Sequence, residues 1–388
     1  MKIALTDSHL DPARGGAQTY IRNFARRLVR DGHEVHVYAA SADAREKGMV
    51  WHQVSVPPFR ALRDYACALR TRDLLMKERF DIIHGFGSSV HMDVYRPGGG
   101  VRRSLLEHEA QAIENPAGRL WMRVRRATSL RHRLLLRLEK LQFQPRGAHE
   151  IIAVSNRVRD EIIRYYQCEP ERITVIHNGA DLARFTPDVR ARFRKLTRQE
   201  LGIPDDEIMI LLVGNNFKLK GVPQLIRALP MLRQLGASFR LVVVGRGRRA
   251  PCERLARKLG VGALVQFAGS TPQPEKYYAA ADIFCLPSFY DPCANALLEA
   301  LACGLPSVTS TTNGSGELLT GKEGCAVPFG DVPQLAQRIG DFFNRDRRAA
   351  ASAAARALAE AHSSERNFEE VMKVYGKALE RKRTSKQT

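Results

Sequence analysis

The sequence lacks the features that mark a membrane-spanning protein, a disulfide framework or a zinc site. No uninterrupted apolar stretch reaches the length of about 18 residues that a helix needs to cross a bilayer. The seven cysteines are odd in number and form no Cys-x-x-Cys pair, and His84 and His91 have no companions at zinc-binding spacing. We therefore expect reduced thiols, no bound metal and a cytoplasmic protein.

Common motifs for phosphate, metal and dinucleotide binding are also missing. The sequence contains no Gly-x-x-x-x-Gly-Lys-Ser/Thr phosphate loop and no Asp-x-Asp pair. Gly245-Arg246-Gly247 follows an apolar run, but Ala250 stands where a dinucleotide fingerprint has its third glycine. These absences argue against a P-loop enzyme and an NAD enzyme, and we expect no cofactor.

Acidic residues are scarce relative to basic ones. The 388 residues include 61 Lys and Arg against 41 Asp and Glu, which gives a formal net charge of +20. Nine basic residues and a single acid, Glu139, fall within 119–146. Such a patch implies an anionic partner, either nucleic acid or membrane lipid, and composition alone leaves both open.

Apolar, β-branched runs alternate with amphipathic runs, which is typical of parallel sheets covered by helices. The strand-like segments are 2–6, 34–38, 80–84, 150–154, 172–176, 208–213, 239–244, 264–267, 282–286 and 306–309. Ten strands are many for one small sheet, and the polar, basic stretch 183–207 is typical of a connector. The sequence therefore predicts an α/β fold of two doubly wound Rossmann-like domains, 1–183 and 184–365, that face each other across a cleft. We expect the C-terminal helix, 366–388, to pack back on the first domain.

Two strand-to-helix loops carry residues that suit a phosphate. Gly15 and Gly16 precede the first helix, where a close backbone approach and the helix dipole favour an anion, although a plain tight turn explains them equally well. Lys218 and Lys220 precede Gly221, and their charges suit a diphosphate. A solvated basic loop is the alternative for the two lysines.

A third segment combines two acids with small residues between them. Asp291 is predicted to lie in a loop, and Glu299 about one turn into the helix that follows. The N-terminus of that helix forms a second anion site, and a carboxylate at Glu299 can accept both hydroxyls of a ribose. A surface charge is the alternative, but Leu298 and Ala300 beside Glu299 are apolar.

Taken together, these residues resemble the retaining nucleotide-sugar glycosyltransferases of family 4, which have the GT-B fold. The resemblance covers nearly the whole chain, and its most specific part runs from Ala281 to Pro306. Within the family, Gly15-Gly16-Ala17-Gln18, Asp93-Val94-Tyr95 and 213–221 are similar to the lipopolysaccharide core glucosyltransferase I type. The resemblance implies transfer of a sugar, with UDP-glucose as the expected donor, onto a lipopolysaccharide core or related glycolipid.

The resemblance also assigns roles to residues of the donor site. Gly16 and Lys220 match positions at the donor diphosphate, Glu299 matches the acid that holds the ribose, and Asp291 replaces a glutamate near the sugar hydroxyls. The other expected donor-binding residues are Gly15, Lys218, Cys293, Ala294, Asn295 and Ala296.

The acceptor side departs from the usual pattern of the family. Phe86 stands where most members have a catalytic histidine, and the glucosyltransferase subgroup uses an aspartate a little downstream, which matches Asp93. The resemblance therefore implies Asp93 and Asp291 as catalytic residues, with His84 as the alternative to Asp93. Front-face attack, in which the leaving diphosphate accepts the acceptor's proton, is the expected course.

The basic segment 119–143 has an apolar stripe, a tryptophan and arginine-rich faces, as an interfacial amphipathic helix requires. The alternative is a pair of core-packed helices with solvated arginines, but the subgroup's membrane-contacting insert favours the first interpretation. The expected membrane-contact residues are Arg119, Trp121, Arg123, Arg125, Arg126, Arg131 and Arg133.

We therefore expect a monomeric, metal-independent enzyme on the cytoplasmic face of the cell membrane. Another acceptor, such as a capsule or exopolysaccharide intermediate or a small molecule, is compatible with the same site residues. A basic nucleic-acid-binding protein is the alternative of a different class. It predicts a helix-turn-helix or basic motifs interleaved with aromatics, and the sequence shows neither.

Overall fold

The computed structural model describes residues 1–9, 15–41, 46–111, 115–144 and 147–384. The chain forms two compact units. The first contains Met1–Ile176 and the C-terminal segment from Phe368, and the second is His177–Asn367. The boundaries predicted from the sequence lie after residues 183 and 365.

The first unit is built on a parallel sheet. Within the described part of the chain it has seven strands in the order β3-β2-β1-β4-β5-β6-β7. The strands are β1 Lys2–Thr6, β2 Glu34–Ala39, β3 Met49–Gln53, β4 Ile82–Gly85, β5 Val94–Tyr95, β6 Glu150–Ala153 and β7 Ile173–Val175. The helices are α1 Gly16–Arg30, α2 Arg60–Leu75, α3 Arg102–Gln111, α4 Pro116–Thr128, α5 Leu130–Phe143 and α6 Asn156–Tyr166.

The core of this unit lies between the sheet and two helices. The central strand β1 is buried on both faces, as a parallel sheet with helices on both sides requires. On one face, Phe24 from α1 packs with Phe368 and Tyr375 from the C-terminal helix α14, Ser364–Thr384. The helical spacing of Tyr20, Phe24 and Leu28 in the sequence corresponds to this buried stripe.

The second unit has a parallel sheet of its own. Among the described residues its six strands have the order β10-β9-β8-β11-β12-β13. They are β8 Ile208–Val213, β9 Phe239–Val244, β10 Val265–Gly269, β11 Ile283–Leu286, β12 Ser307–Ser310 and β13 Gly324–Val327. The helices are α7 Asp188–Leu201, α8 Val222–Arg233, α9 Arg249–Lys258, α10 Glu275–Ala280, α11 Asn295–Ala302, α12 Val332–Gly340 and α13 Arg345–Ala361.

Each sheet reverses its strand order at one place. In the first unit the reversal lies between β1 and β4, and in the second it lies between β8 and β11. Loops that leave the carboxyl ends of such a strand pair turn away to opposite faces of the sheet and leave a crevice, where ligands bind in open α/β folds. The prediction of two Rossmann-like α/β units is confirmed. No helix within the described ranges is long and apolar enough to span a bilayer.

Candidate functional site

Two loops meet at the reversal point of the second unit. Lys220 lies on the loop from β8 to α8, and Asp291 lies on the loop from β11 to α11. Lys220 Nζ donates to Asp291 Oδ2 in an ion pair. The backbone joins the same two loops, because Phe289 N donates to Leu219 O over 2.8 Å. The structure therefore brings together two residues that are 71 positions apart in the sequence.

Glycines make room for Lys220. Gly221 has a φ of +76°, and a Cβ there would lie 1.8 Å from the carbonyl oxygen of Pro287, just beyond β11. A Cβ at Gly214 would lie 2.8 Å from Cγ of Lys220. The Lys-Gly sequence thus lets one loop approach the other strand end closely, which only a residue without a side chain permits. Lys218 lies on the same loop and is exposed.

The backbone of Asp291 is fixed on both sides. Its N–H donates to Thr312 O over 3.1 Å, and its carbonyl accepts from Gly314 N over 2.8 Å. Only 6% of Asp291 is exposed. A carboxylate so enclosed needs a cation or hydrogen-bond donors, and the Lys220 ammonium supplies the charge.

The N-terminus of α11 follows the Asp291 loop directly. No side chain caps this helix, so its first turn presents backbone N–H groups and the positive end of the helix dipole. Asn178 Nδ2 donates to the carbonyl of Cys293 over 3.0 Å and to Oδ1 of Asn295 over 2.6 Å. The amide of Ala294, a predicted donor-binding residue, donates to Asn313 Oδ1 over 3.3 Å. The first turn, which contains Ala296, is therefore the better placed anion site.

Glu299 lies one turn further along α11. Tyr278 Oη donates to Glu299 Oε2 over 2.8 Å. Removal from solvent raises the pKa of the Glu299 carboxyl, and the hydrogen bond from Tyr278 opposes this with a smaller lowering effect. Asn295 and Glu299 are four residues apart and thus share one face of the helix. A carboxylate held in this way can accept hydrogen bonds from a vicinal diol.

Packing explains the glycines that resemble a fragment of a dinucleotide fingerprint. A Cβ at Gly245 would lie 2.2 Å from the carbonyl oxygen of Gly214. A Cβ at Gly247 would lie 2.4 Å from the ring of Phe217. Both positions therefore require glycine because the backbone packs closely there within the second unit. Dinucleotide binding is not needed to explain either glycine.

Gly15 and Gly16 stand in the first unit, at the beginning of α1. Gly15 is the N-cap residue of α1. No side chain caps this helix, and its first turn contains no acidic residue. The Gly15 carbonyl accepts from Thr19 N over 3.2 Å. The segment 10–14, which precedes these glycines, lies outside the described residues.

Asp93, a predicted catalytic residue, is held by contacts within the first unit. It lies just before β5, beside the amino end of β4, whereas ligands of such sheets bind at the carboxyl ends. Its Oδ2 accepts from the backbone N of Ile83 over 2.7 Å and pairs with Lys382 Nζ at 2.7 Å. Asp93 is 6% exposed. These contacts join β4, β5 and α14 through Asp93, and its catalytic role stays a prediction.

His84, the alternative to Asp93, belongs to the core. Its ring stacks on Phe86 at a centroid distance of 4.0 Å, and its Nδ1 lies 2.8 Å from Tyr375 Oη. Burial lowers the pKa of His84 well below its usual value, and the charge of Arg96 lowers it further. The side chain therefore packs as a neutral ring between β4 and α14.

A carboxylate that has no predicted role, Asp7, lies at the carboxyl end of β1. Asp7 Oδ1 accepts from Ser8 N over 2.6 Å, and a Cβ at Gly87, after β4, would lie 2.1 Å from the same oxygen. Removal from solvent raises the pKa of Asp7 to about 7, with a small addition from Asp64 and opposition from the Ser8 and His9 amides. Asp7 thus occupies the reversal point of the first sheet. The signal in the sequence is an acid directly after an apolar strand.

The basic segment forms two helices that differ in burial. Asn115 caps α4 by accepting from Ala117 N over 3.0 Å, and Pro116 begins the helix. None of the residues of α4 is buried, and Leu120, Trp121 and Val124 are 63%, 62% and 54% exposed. In contrast, α5 buries five side chains, Leu135, Leu138, Glu139, Gln142 and Phe143. The core-packed alternative therefore describes α5, whereas α4 leaves its apolar residues exposed.

The seven predicted membrane-contact residues divide in the same way. Arg123, Arg125 and Arg133 are exposed together with Trp121, and the guanidinium of Arg125 lies 4.7 Å from the Trp121 ring centroid. Arg119 is partly buried. Two others are held within the unit: Arg126 pairs with Glu109 and donates to Leu106 O over 2.8 Å, and Arg131 lies 3.7 Å from Asp64.

Two family models match the chain, one on each half. Residues 14–184 match the model described as Glycosyltransferase Family 4, and residues 193–358 match Glycosyl transferases group 1. Together the two matches cover most of the chain.

Known proteins agree with these matches. The chain is 28% identical to the lipopolysaccharide glucosyltransferase WaaG of Escherichia coli K12, over 77% of this chain and 78% of WaaG. It is also 28% identical to a GDP-mannose-dependent α-(1-6)-phosphatidylinositol monomannoside mannosyltransferase of Mycolicibacterium smegmatis, over 90% and 91% of the two chains. The crystal structure of WaaG, described as a glycosyltransferase involved in lipopolysaccharide biosynthesis, superposes with a TM-score of 0.81 at 25% identity, over 95% of this chain and 98% of WaaG. The chain therefore belongs to the family 4 glycosyltransferases of the GT-B fold.

Proposed function

We propose that this glycosyltransferase transfers a hexose, with glucose from UDP-glucose as the first candidate, onto a lipopolysaccharide core or related glycolipid with retention of configuration. The observation that supports this most is the arrangement of Lys220, Asp291 and Glu299 around the carboxyl ends of β8 and β11. The likeness to WaaG supports the choice of donor and acceptor.

Each group of this site has a role in the proposed reaction. Lys220 and the uncapped N-terminus of α11 stabilise the negative charge that grows on the diphosphate as the glycosidic bond breaks. Glu299 accepts hydrogen bonds from the ribose hydroxyls, and Asp291 accepts a hydrogen bond from a hydroxyl of the donor sugar. The acceptor hydroxyl attacks from the face of the leaving group, and the departing diphosphate takes its proton. Because Lys220 and the helix supply the positive charge, we propose that the reaction needs no divalent cation.

A donor and acceptor screen tests this proposal. UDP-glucose, UDP-galactose and GDP-mannose are each incubated with truncated lipopolysaccharide, with phosphatidylinositol monomannoside and with a soluble inositol. We expect transfer from UDP-glucose to the lipopolysaccharide, an α-linked product by NMR, and the same rate with EDTA. Transfer from GDP-mannose alone, or a β-linked product, would contradict the donor or the stereochemistry.

We propose Asp7, in place of Asp93, as the polar group of the first unit that orients the acceptor hydroxyl. It combines the carboxyl-end position with a carboxylate that is largely removed from solvent. A carboxyl group whose pKa lies near neutrality is typical of positions that handle protons.

Asp7→Asn is expected to reduce kcat for transfer about 10- to 100-fold, because one hydrogen bond to a charged group is lost, and to leave UDP affinity unchanged.

The same variant also tests the raised pKa of Asp7. Because the folded-state pKa of Asp7 is raised, the wild-type free energy of unfolding falls as pH rises from the unfolded pKa near 3.8 to about 7. The variant lacks this loss, so its Tm should exceed that of the wild type at pH 8 and match it near pH 4. At pH 8 the free energy of unfolding of the variant should exceed that of the wild type by at most about 4 kcal/mol.

Asp93→Asn is the matched comparison, because it removes the charge that pairs with Lys382. We expect a lower Tm and an unchanged kcat for the folded fraction. A fully active Asp7→Asn variant together with an inactive but stable Asp93→Asn variant would favour Asp93 over Asp7 as the catalytic residue.

We also propose that α4 contacts an anionic membrane surface and so keeps the enzyme near a lipid-linked acceptor. Its exposed apolar residues, Leu120, Trp121 and Val124, stand beside Arg123 and Arg125. Apolar side chains that enter the headgroup region together with arginines at the surface are the requirements for interfacial binding.

The variant Trp121→Ser/Arg123→Gln/Arg125→Gln is expected to bind vesicles that contain phosphatidylglycerol at least about 30-fold more weakly, since each basic residue contributes about 1 kcal/mol. Arg254→Gln/Lys258→Gln on α9, which also removes exposed charges, is the control and should bind nearly as the wild type does. Sedimentation with vesicles measures both. If the control loses as much affinity as the α4 variant, net charge and not α4 determines binding. Tighter binding to random DNA than to vesicles at equal salt would favour the nucleic-acid alternative.

A further inference from the structure

A cluster of metal-ligating side chains lies in the first unit, apart from every residue assigned above. His36 on β2, His52 on β3 and Glu78, shortly after α2, each offer one ligand atom, and these atoms lie within 4.8 Å of one another. The strand register explains the approach of the two histidines. His36 pairs with Val50 and Tyr38 pairs with His52, so both rings stand on the same face of the sheet, two residues apart.

The separations within the cluster suit a small metal ion. His36 Nδ1 lies 2.9 Å from His52 Nε2 and 3.7 Å from Glu78 Oε2. Bonds of 2.0–2.1 Å to a tetrahedral zinc ion place neighbouring ligand atoms about 3.3 Å apart. These two separations lie on either side of that value, and all three ligand atoms lie within 4.8 Å of one another.

Surrounding residues hold these ligands in place. His36 Nε2 lies 2.8 Å from Glu34 Oε1, which fixes the proton on Nε2 and leaves the lone pair of Nδ1 directed at His52 and Glu78. A carboxylate that accepts the outer N–H of a metal-binding histidine is a recurrent feature of zinc sites. Lys2 Nζ lies 2.6 Å from Glu78 Oε1, so the other oxygen of that carboxylate faces the histidines. The Tyr38 ring stacks on His52 at 4.2 Å.

The competing interpretation is a hydrogen-bond network without metal. In that case His52 donates to His36, and Lys2 pairs with both Glu34 and Glu78. The approach of two ring nitrogens and one carboxylate oxygen to within 4.8 Å of one another favours a divalent cation in addition to Lys2.

We propose that His36, His52 and Glu78 bind one divalent transition metal of the zinc class, with water as a fourth ligand. Imidazole nitrogen with a single carboxylate selects zinc and its neighbours over magnesium or calcium, which prefer oxygen alone. The ion ties β3, at the edge of the sheet, to β2 and to the segment after α2. It lies outside the donor-binding residues and takes no part in sugar transfer.

The test uses the full chain without a polyhistidine tag, stripped with chelator and titrated with Co²⁺ and then with Zn²⁺. We expect one equivalent of Co²⁺ with the visible absorption of a four-coordinate ion, its displacement by Zn²⁺, and a Tm that increases with zinc concentration. Glu78→Gln should weaken zinc binding at least about tenfold by calorimetry. His36→Gln/His52→Gln should abolish binding.

The control is His33→Gln/His132→Gln, which removes two histidines at other positions of the same unit. It should bind one equivalent with wild-type affinity. A wild-type protein without the cobalt absorption, or zinc binding that persists in a folded His36→Gln/His52→Gln variant, would overturn the proposal. The wild-type titration alone decides the matter if the double variant does not fold. The proposal predicts that sugar transfer persists after chelation. The metal-site hypothesis and the sugar-transfer hypothesis can therefore be refuted independently of each other.

Discussion

Glu299→Ala is expected to abolish detectable binding of UDP. The Glu299 carboxylate is already removed from solvent without the donor, and Tyr278 orients it. Ribose binding therefore costs little free energy for desolvating and ordering this side chain. Two hydrogen bonds from the ribose hydroxyls to a charged acceptor contribute about 1.5–3 kcal/mol each. Their loss corresponds to a reduction in affinity of at least about 100-fold. Calorimetry with UDP measures the change directly.

Two further substitutions separate the carboxylate from its surroundings. Tyr278→Phe keeps the acid and removes its orienting hydrogen bond, so we expect a loss of about fivefold, equivalent to roughly 1 kcal/mol. Glu299→Gln keeps the shape and removes the charge, and its affinity should fall between those of the other two. Because the pKa of Glu299 is raised, wild-type affinity should decrease as pH falls through that raised pKa. Unchanged UDP affinity in Glu299→Ala would refute the ribose assignment.

Most of the sheet architecture could be predicted because parallel strands buried on both faces leave long β-branched runs in the sequence. The run 208–213 and the run 239–244 coincide with β8 and β9. Three strands gave no such signal. Strand β3 lies at the sheet edge with its residues partly exposed, β5 has two residues, and β13 is a short segment that starts with Gly324. Their pairing depends on neighbouring strands, which local periodicity does not report.

The candidate site was predictable only in part, and the reason is geometric. The residue types at Lys220, Asp291 and Glu299 already indicated a phosphate and a diol, and the fold brings Lys220 to Asp291. Asp93 was placed by resemblance, but whether a residue next to a strand lies at its amino or its carboxyl end depends on the strand's position, and β5 was not predicted. Asp7 follows a predicted strand, yet its pKa depends on burial that only packing creates.

Lys220→Ala is the second substitution with a large expected effect, and it should act on both catalysis and stability. The ammonium pairs with Asp291 on the loop that leads into the uncapped end of α11, so its loss removes stabilisation of the leaving diphosphate. Removal of one such preorganised group reduces kcat by about 10²- to 10³-fold. Asp291 then remains enclosed without its counter-ion, which should destabilise the fold by about 1–3 kcal/mol.

Lys218→Ala serves as the matched control, since Lys218 lies on the same loop and is exposed. Screening by solvent limits its contribution, and we expect less than about a fivefold change in kcat. A Lys218→Ala variant as inactive as Lys220→Ala would show that the loop acts through its total charge.

The double variant Lys220→Met/Asp291→Asn distinguishes the two effects of Lys220. It removes both charges together, so the enclosed carboxylate no longer lacks a partner, and the Tm should return to within a few degrees of the wild type. Transfer should stay as low as in Lys220→Ala, because the cation for the diphosphate is not restored and the acceptor for the sugar hydroxyl has lost its charge. Recovery of transfer together with Tm would mean that the ion pair only holds the two loops in place. Stability without transfer would assign Lys220 to the chemistry, and differential scanning calorimetry with initial-rate measurements on the same samples provides both readings.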